Sequence, residues 1–111
     1  MTNDIMDKIK HDIENNDVVL YMKGDANIPQ CGFSSTVVNI LKKMNVNFKS
    51  INVLENLELR EAIKEFTNWP TIPQLYIKGE FIGGCDIVKE MYHSGELQEL
   101  LIKNNLMTIT Q

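Results

Sequence analysis

The stretch NWPTIPQLYIKGEFIGGCDI, residues 68–87, decides the fold of this chain. Pro70 and Pro73 each remove a backbone donor and restrict the residue before them, so the stretch cannot begin as a helix. The apolar run that follows has a Lys-Gly-Glu turn at its centre and predicts a hairpin of two short strands. The second half of the chain should therefore contribute two antiparallel strands to a sheet.

The chain before this hairpin alternates helix and strand. Residues 17–23, DVVLYMK, predict a buried strand, and residues 47–53, NFKSINV, predict a second, less regular one. Apolar residues at helical spacing predict a helix before the first strand, one between the strands and one around residues 57–66. Two short helices, broken near residues 94–95, and a frayed tail should follow the hairpin. The order α-β-α-β-α-β-β-α-α predicts an α/β fold, a mixed four-stranded sheet flanked by helices on both faces.

Length and charge exclude several classes of protein. The chain has 111 residues, enough for one domain with a modest core. Its net charge of -4 argues against nucleic-acid binding, because phosphate contacts need a clustered basic surface. No apolar run approaches the ~18 residues of a membrane span, and the acidic start resembles neither a secretory signal nor a transit peptide. The two cysteines do not make a disulfide framework, so we expect a reducing, cytoplasmic compartment.

One cysteine precedes the second predicted helix in the stretch MKGDANIPQCGFSSTVV, residues 22–38. Cys31 is expected at the helix start, where unpaired backbone N–H groups and the helix dipole favour an anion. A thiolate there should form below the ~8.5 pKa of a free cysteine, more so if Lys23 approaches it. The alternative is a buried structural cysteine, but the polar, glycine-containing loop around it favours a functional site.

The Cys-Gly-Phe-Ser motif of residues 31–34, followed by NWPTIPQLYIKGEFIGGCDI, resembles the monothiol glutaredoxins of the CGFS type. The likeness runs from about residue 5 to residue 103 and includes the seven residues between Lys23 and Cys31, a gap that is much shorter in two-cysteine glutaredoxins. The resemblance implies a thioredoxin-like fold and a single glutaredoxin domain over residues 1–111, with residues 104–111 as a C-terminal tail. It also implies that the chain binds glutathione and, as a dimer, a [2Fe–2S] cluster.

The family pattern implies which residues hold the glycine and cysteine units of glutathione. Lys23 and Arg60 would pair with the glycine carboxylate, although either residue taken alone is more typical of a solvated surface charge. The bond between Ile72 and Pro73 would be cis, as in other thioredoxin-fold proteins. The Ile72 backbone would then pair with the cysteine unit of the ligand, as an edge strand does.

The family pattern implies a second anion site, for the γ-glutamyl carboxylate, on the backbone of Cys85 and Asp86 at a helix N-terminus. Asp86 could also meet the ligand's ammonium group or cap that helix, and these roles can coexist. Cys85 could be a second thiol that bridges to Cys31, but we favour the reading that it is a small residue beside the ligand. His11 and His93 lack zinc-like spacing to either cysteine and read as surface residues.

Further residues are expected close to the site without a direct role in chemistry. Trp69 is as consistent with a core or rim position as with a ligand-facing one. Gly83 and Gly84 allow close approach of the backbone, because neither has a side chain. The expected set comprises Gly32, Phe33, Ser34, Trp69, Thr71, Pro73, Gly83 and Gly84.

A single thiol suits a cluster carrier better than a disulfide exchanger. The Ser34 hydroxyl cannot resolve a mixed disulfide, so exchange would have to use glutathione as the resolving thiol. A [2Fe–2S] centre normally needs four thiolates, and only Cys31 is expected to be exposed. Two copies of Cys31 and two glutathione thiolates make four, which predicts a labile cluster that bridges a homodimer.

The sequence therefore favours a role in iron–sulfur cluster assembly and transfer to apo-proteins. The alternative is a glutathione-dependent oxidoreductase that acts on glutathionylated proteins through one cysteine, with weak activity. The resemblance also implies a BolA-like protein as a possible partner. Neither a nucleic-acid partner nor a membrane is expected.

Overall fold

The first strand, β1 (Val18–Met22), is central to the fold. The computed structural model describes residues 2–107, with side chains from residue 4 onward. β1 pairs in parallel with β2 (Lys49–Asn52) and antiparallel with β3 (Gln74–Ile77), which pairs antiparallel with β4 (Glu80–Gly83). The order β2-β1-β3-β4 confirms the predicted mixed sheet and its hairpin.

Helices cover both faces of this sheet, as the element order predicts. α1 and α3 pack on one face, and α2, α4 and α5 pack on the other. Within the range that the structure describes, no helix is long and apolar enough to cross a bilayer. The helices are α1 (Thr2–Asn15), α2 (Gly32–Lys43), α3 (Leu57–Thr67), α4 (Cys85–Ser94) and α5 (Glu96–Lys103).

Alternate residues of β1 supply the two halves of the core. Val18, Leu20 and Met22 pack toward α2, α4 and α5, whereas Val19 and Tyr21 pack toward α1 and α3. All five side chains are buried. An unbroken apolar strand is what a central strand covered on both faces requires.

The loop before Cys31 has a defined shape. The Asp25 carboxylate accepts hydrogen bonds from the backbone N–H groups of Asn27 and Ile28, both at 2.8 Å. The Gln30 N–H donates to the Lys23 carbonyl at 2.9 Å. These bonds hold the ends of the loop together, so the loop brings Cys31 to the start of α2 in a fixed position.

Asn52 connects this loop to the end of β2. Its side-chain oxygen accepts from the N–H of Gly24 at 3.0 Å and from that of Leu54 at 2.9 Å. The second bond caps a short 3₁₀ turn, Val53–Glu55, which the sequence analysis did not predict. A turn of three residues has no hydrophobic period, so only the capping asparagine marks it.

The predicted break between the last two helices occurs at Gly95, which has a φ of 90°. The expectation of a frayed tail is wrong for residues 104–107. The Leu106 N–H donates to the Leu101 carbonyl at 2.8 Å, and the Leu106 and Met107 side chains pack against the core. Residues 108–111 lie outside the described part of the chain.

Candidate functional site

Cys31 is the N-cap residue of α2, as the sequence predicts. Its backbone is extended, with φ −152° and ψ 135°, and the thiol is free and partly exposed. The chain therefore turns from the loop into the helix at the cysteine itself. The thiol therefore lies at the helix end whose first backbone N–H groups lack intrahelical partners.

The surroundings of Cys31 favour its thiolate. Burial is the largest single influence on the thiol and acts to raise its pKa. It is outweighed by the backbone N–H groups of Ser34 and Phe33, the Ser34 hydroxyl and the charge of Lys23. The pKa of the Cys31 thiol is consequently lowered from its ordinary value, because each of these groups stabilises the anion.

Ser34 connects α2 to the end of β1. Its side chain is fully buried, and its Oγ accepts a hydrogen bond from the Lys23 backbone N–H at 3.1 Å. The last residue of the Cys-Gly-Phe-Ser motif thus fixes the helix start beside Lys23. The same hydroxyl is one of the groups that lower the pKa of the Cys31 thiol, which gives Ser34 two local roles.

A cavity of about 590 Å³ opens beside Cys31. It brings together segments that lie far apart in the sequence: the end of β1, the start of α2, one side of α3, the 69–73 segment and the start of α4. It gathers most of the predicted residues but not Gly32, Ser34 or Gly83. The lining residues are Lys23, Cys31, Phe33, Arg60, Lys64, Trp69, Pro70, Thr71, Ile72, Pro73, Gly84, Cys85, Asp86 and Ile87.

Three of these lining residues were not predicted. Lys64 follows Arg60 by one helical turn on α3, and that spacing could have identified it. Pro70 was read only as a helix breaker. Ile87 lies in the first turn of α4, and an exposed isoleucine has no motif that would single it out.

The 69–73 segment forms one wall of the cavity. The Ile72–Pro73 bond is cis, as predicted. The Trp69 ring packs on Phe81 with centroids 5.5 Å apart and also lines the cavity, so its two proposed positions coexist. A Cβ at Gly84 would lie 3.2 Å from the Pro73 carbonyl oxygen and 3.3 Å from Trp69 Nε1, so the glycine permits this close approach.

Two buried nitrogen atoms at the cavity have no protein partner. Among residues 4–107, Arg60 Nε and Trp69 Nε1 are buried without a hydrogen bond, and both residues line the cavity. Buried donors in native proteins are normally satisfied. These two unsatisfied donors therefore belong to cavity-lining residues, although the nitrogen atoms themselves are buried.

Cys85 differs from the prediction in one respect. It is partly exposed, like Cys31, and both thiols are free, so the expectation that only Cys31 is exposed is wrong. Burial, followed by the Asp86 carboxylate, raises the pKa of the Cys85 thiol, and Lys89 and Thr36 only partly oppose this. The two cysteines therefore share a cavity but differ in their tendency to ionise.

Asp86 does not cap α4. The N-cap residue is Gly84, which has no side chain, and Asp86 lies inside the first helical turn. The predicted capping role is therefore wrong, although an acidic residue in this turn still suits the helix dipole. His11 and His93 are exposed, as predicted.

The comparisons with known proteins agree with this architecture. The chain matches the Glutaredoxin family model over residues 18–82. It is 59% identical over 93 residues to the probable monothiol glutaredoxin 2 of Rickettsia conorii, covering 84% of this chain and 87% of that protein. The solution structure of reduced poplar apo GrxS14 is 55% identical, with a TM-score of 0.76, and the match covers 91% of this chain and 90% of that one.

A more distant solved structure shares the fold. The crystal structure of the buckwheat glutaredoxin–glutathione complex has a TM-score of 0.85 and 23% identity, with 96% of each chain covered. The sheet order and the helices on both faces define the class, a thioredoxin-like fold. The chain belongs to the glutaredoxin family, and its single motif cysteine and its relatives place it among the monothiol glutaredoxins.

Proposed function

We propose that the cavity beside Cys31 binds glutathione. The observation that carries this proposal is that one cavity is lined by a thiol of lowered pKa, Cys31, and by the cationic residues Lys23 and Arg60. Glutathione has two carboxylates, an ammonium group and a thiol, so it needs such cations beside a reactive sulfur. Hydrogen bonds to charged groups contribute about 1.5–3 kcal/mol each.

The size and the chemistry of the cavity support a tripeptide ligand. Its volume of about 590 Å³ falls within the roughly 300–1,000 Å³ of typical ligand pockets. The Arg60 guanidinium, which belongs to a cavity-lining residue, and the N–H groups at the start of α4 are donors that suit carboxylates. Ile72 can offer backbone groups to the cysteine unit. A protein of the same fold, the buckwheat glutaredoxin, was crystallised as a complex with glutathione.

The cargo that we propose for this site is a [2Fe–2S] cluster. Such a cluster normally takes four thiolates. Within residues 2–107, no group of three or more His, Cys, Asp or Glu side chains could hold a metal ion. A complete ligand set therefore needs other molecules, and two copies of Cys31 with two glutathione thiolates would supply it.

A carrier role follows from this ligand set. Glutathione is not covalently attached to the chain, so a bridging cluster would be labile and could pass to apo iron–sulfur proteins. A BolA-like protein is a further proposed partner. Disulfide exchange would be weak, because the buried Ser34 hydroxyl cannot resolve a mixed disulfide.

Anaerobic sedimentation velocity, followed at the visible absorption of the cluster, tests this proposal. Iron, sulfide and glutathione together should convert a monomer into a coloured dimer. Omission of glutathione should prevent the dimer, and Cys31→Ser should abolish both colour and dimer. Cys85→Ser is the matched control and should retain both.

Two results would overturn the cluster proposal. One is a coloured species that sediments as a monomer, and the other is a dimer that forms fully without any added thiol. Loss of the cluster in Cys85→Ser but not in Cys31→Ser would instead identify the other cysteine as the ligand. Calorimetry of glutathione binding to the apo chain tests the glutathione proposal separately.

A further inference from the structure

We propose that Gln74 is a positioning residue for the ligand site: its buried amide holds the backbone of residues 69–71 in the shape that glutathione needs. This inference rests on the proposed binding of glutathione. Gln74 is the first residue of β3, and it does not line the cavity. It would act through the wall that precedes it.

The Gln74 side chain connects the wall to the core through hydrogen bonds at both ends. Its Nε2 donates to the Trp69 carbonyl at 3.1 Å and to the Thr71 carbonyl at 3.3 Å. Its Oε1 accepts from the Tyr76 hydroxyl at 3.0 Å and from the Thr67 hydroxyl at 3.2 Å. The amide nitrogen therefore uses both of its donor hydrogens, and the oxygen accepts from Tyr76 and shares the single Thr67 hydroxyl proton with the Ile63 carbonyl, which lies closer at 2.9 Å.

The burial of the Gln74 side chain explains why its amide must be fully hydrogen-bonded. Gln74 is 0% exposed, and a buried amide is costly unless all of its groups are paired. An apolar side chain of similar length would fill the same space, but it would leave the two wall carbonyls without their donor. Packing alone does not require a glutamine at position 74, whereas the hydrogen bonds to the two wall carbonyls do.

The two carbonyls that Gln74 holds belong to residues that line the cavity. Trp69 and Thr71 form the wall together with Ile72 and Pro73, and the start of α4 approaches this wall closely because residue 84 is a glycine. A wall released from Gln74 would spend less time in the binding shape. The apparent dissociation constant rises in inverse proportion to the fraction of time spent in that shape.

The test compares Gln74→Met and Gln74→Glu with the wild-type chain. Methionine keeps the length of the side chain and removes all four hydrogen bonds. Glutamate keeps the acceptor for Thr67 and Tyr76 and removes the amide donors to the wall. Both variants should bind glutathione roughly tenfold more weakly by calorimetry, as expected if the competent fraction falls to about a tenth.

Leu101→Val is the control for a general loss of stability. Leu101 is fully buried on α5, and this element contributes no residue to the cavity. Each protein is measured at the same interval below its own unfolding midpoint. The control should bind glutathione as the wild type does. Equal weakening in the control and in the Gln74 variants would reduce Gln74 to an ordinary core residue and overturn the proposal.

Trp69 gives a readout that does not need the ligand, because it is the only tryptophan in the chain. Quenching of its fluorescence by acrylamide should increase in both Gln74 variants and not in Leu101→Val. If the wild type fails to bind glutathione while this quenching increases, the proposed function fails and the positioning role stands. Unchanged quenching and unchanged affinity in the Gln74 variants would overturn the positioning role.

A measurement on the wild type alone covers the case in which the variants do not fold. The side-chain amide hydrogens of Gln74 should exchange with solvent far more slowly in NMR spectra than those of Gln98, which is exposed on α5. Slow exchange supports the hydrogen-bonded wall. Exchange of the two amides at the same rate would contradict it.

Discussion

At the scale of single residues, Cys31 and Cys85 line the same cavity but meet different surroundings. The helix N-terminus, the Ser34 hydroxyl and Lys23 lower the pKa of the Cys31 thiol against the effect of its burial. Cys85 is the first residue of its own helix, yet burial and the adjacent Asp86 raise the pKa of its thiol. Helix position alone therefore does not decide which cysteine is reactive.

Alkylation should separate the two thiols. At neutral pH, iodoacetamide should modify Cys31 first, because the thiolate is the nucleophile and its fraction is larger at the lower pKa. Mass spectrometry over time checks the order. The fast phase should persist in Cys85→Ser and disappear in Cys31→Ser, and equal rates for both cysteines would contradict the proposed difference.

Two of the cavity's cations, Lys23 and Arg60, should contribute measurably to glutathione binding. Lys23→Ala and Arg60→Ala should each weaken binding by about 1–3 kcal/mol, roughly five- to 150-fold, because each removes one partner of a charge-assisted pair. Calorimetry measures this change. Lys64 is unsuitable as the control because it lines the cavity, so Lys43→Ala, on the exposed end of α2, takes that place. Unchanged affinity in both test variants would exclude the proposed carboxylate site.

The sequence predicted the site residues that belong to a motif and missed those that depend on three-dimensional proximity. Cys31 was predicted from its place before the second helix, and Lys23 and Arg60 from the family pattern; all three line the cavity. Asp86 was assigned a capping role because its residue type suits an N-cap, but the extended backbone at Gly84 decides where the helix begins. The wall that Gln74 holds was not predictable, because the carbonyls that reach the amide depend on how the 69–73 segment folds back.

At the scale of elements, every helix and strand of the predicted order is present. The helices have a hydrophobic period, and the strands are marked by apolar runs and by the Lys-Gly-Glu turn. The 3₁₀ turn Val53–Glu55 and the packing of residues 104–107 were not predicted. The turn is too short to have a period and is marked only by its local cap, Asn52, whereas the packing of residues 104–107 depends on contacts with the core beside α5. The hydrophobic period of a segment does not reveal such contacts.

The loop before Cys31 depends on Gly24. Gly24 has a φ of 84°, and a Cβ there would lie 2.6 Å from both the Gln30 nitrogen and the Ile28 oxygen. Gly24→Ala should therefore lower the free energy of unfolding by about 2 kcal/mol or more, through backbone strain together with the clash. Urea denaturation measures this loss.

Gly95 provides the control for Gly24. Its φ of 90° is similar, but a Cβ there would meet nothing within 4 Å. Gly95→Ala should therefore cost only the left-handed backbone strain, about 1 kcal/mol. Equal losses for the two variants would mean that the close contacts around Gly24 do not constrain the loop.

At the scale of the whole molecule, the sheet divides the core into two clusters, and alternate residues of β1 and of β3 belong to opposite clusters. The cluster under α1 and α3 contains two buried phenols, Tyr21 and Tyr76, whose rings are 5.6 Å apart. Tyr76 donates to Gln74 Oε1, whereas the Tyr21 hydroxyl has no hydrogen-bond partner among the described residues. The two faces of the sheet therefore differ in polarity as well as in the helices that cover them.

Removal of the two hydroxyls should have opposite effects on stability. Tyr76→Phe breaks a buried hydrogen bond and should lower the free energy of unfolding by about 0.5–1.5 kcal/mol. Tyr21→Phe removes an unpaired buried hydroxyl and should leave that free energy unchanged or raise it by up to about 1 kcal/mol. Urea denaturation of both variants checks the signs, and a clear loss in Tyr21→Phe would mean that its hydroxyl has a partner such as a buried water.

Alkaline pH should destabilise the fold through the same two phenols. Burial, above all, raises the pKa of Tyr21 and Tyr76 in the folded chain. Stability from the protonated phenols is therefore fully present below about pH 10, the pKa of an unfolded tyrosine, and is lost as the pH rises above it. Thermal denaturation scans should show that the double variant Tyr21→Phe/Tyr76→Phe loses less stability than the wild type between roughly pH 9 and 11, the range around that pKa. Identical pH dependence in both proteins would contradict this assignment.

The hydrogen bond between the Lys23 backbone N–H and Ser34 Oγ also bears on how such sites evolve. A serine-to-cysteine substitution at this position would supply the second thiol of a C-x-x-C motif. It would also place a larger atom, and a weaker acceptor, in a fully buried position that anchors α2 to β1. A lineage that gains the second thiol must therefore either tolerate a less stable protein after the substitution or acquire a compensating change at the strand end. The inherited fold, as much as selection on chemistry, would keep a one-thiol lineage from drifting into two-thiol exchange.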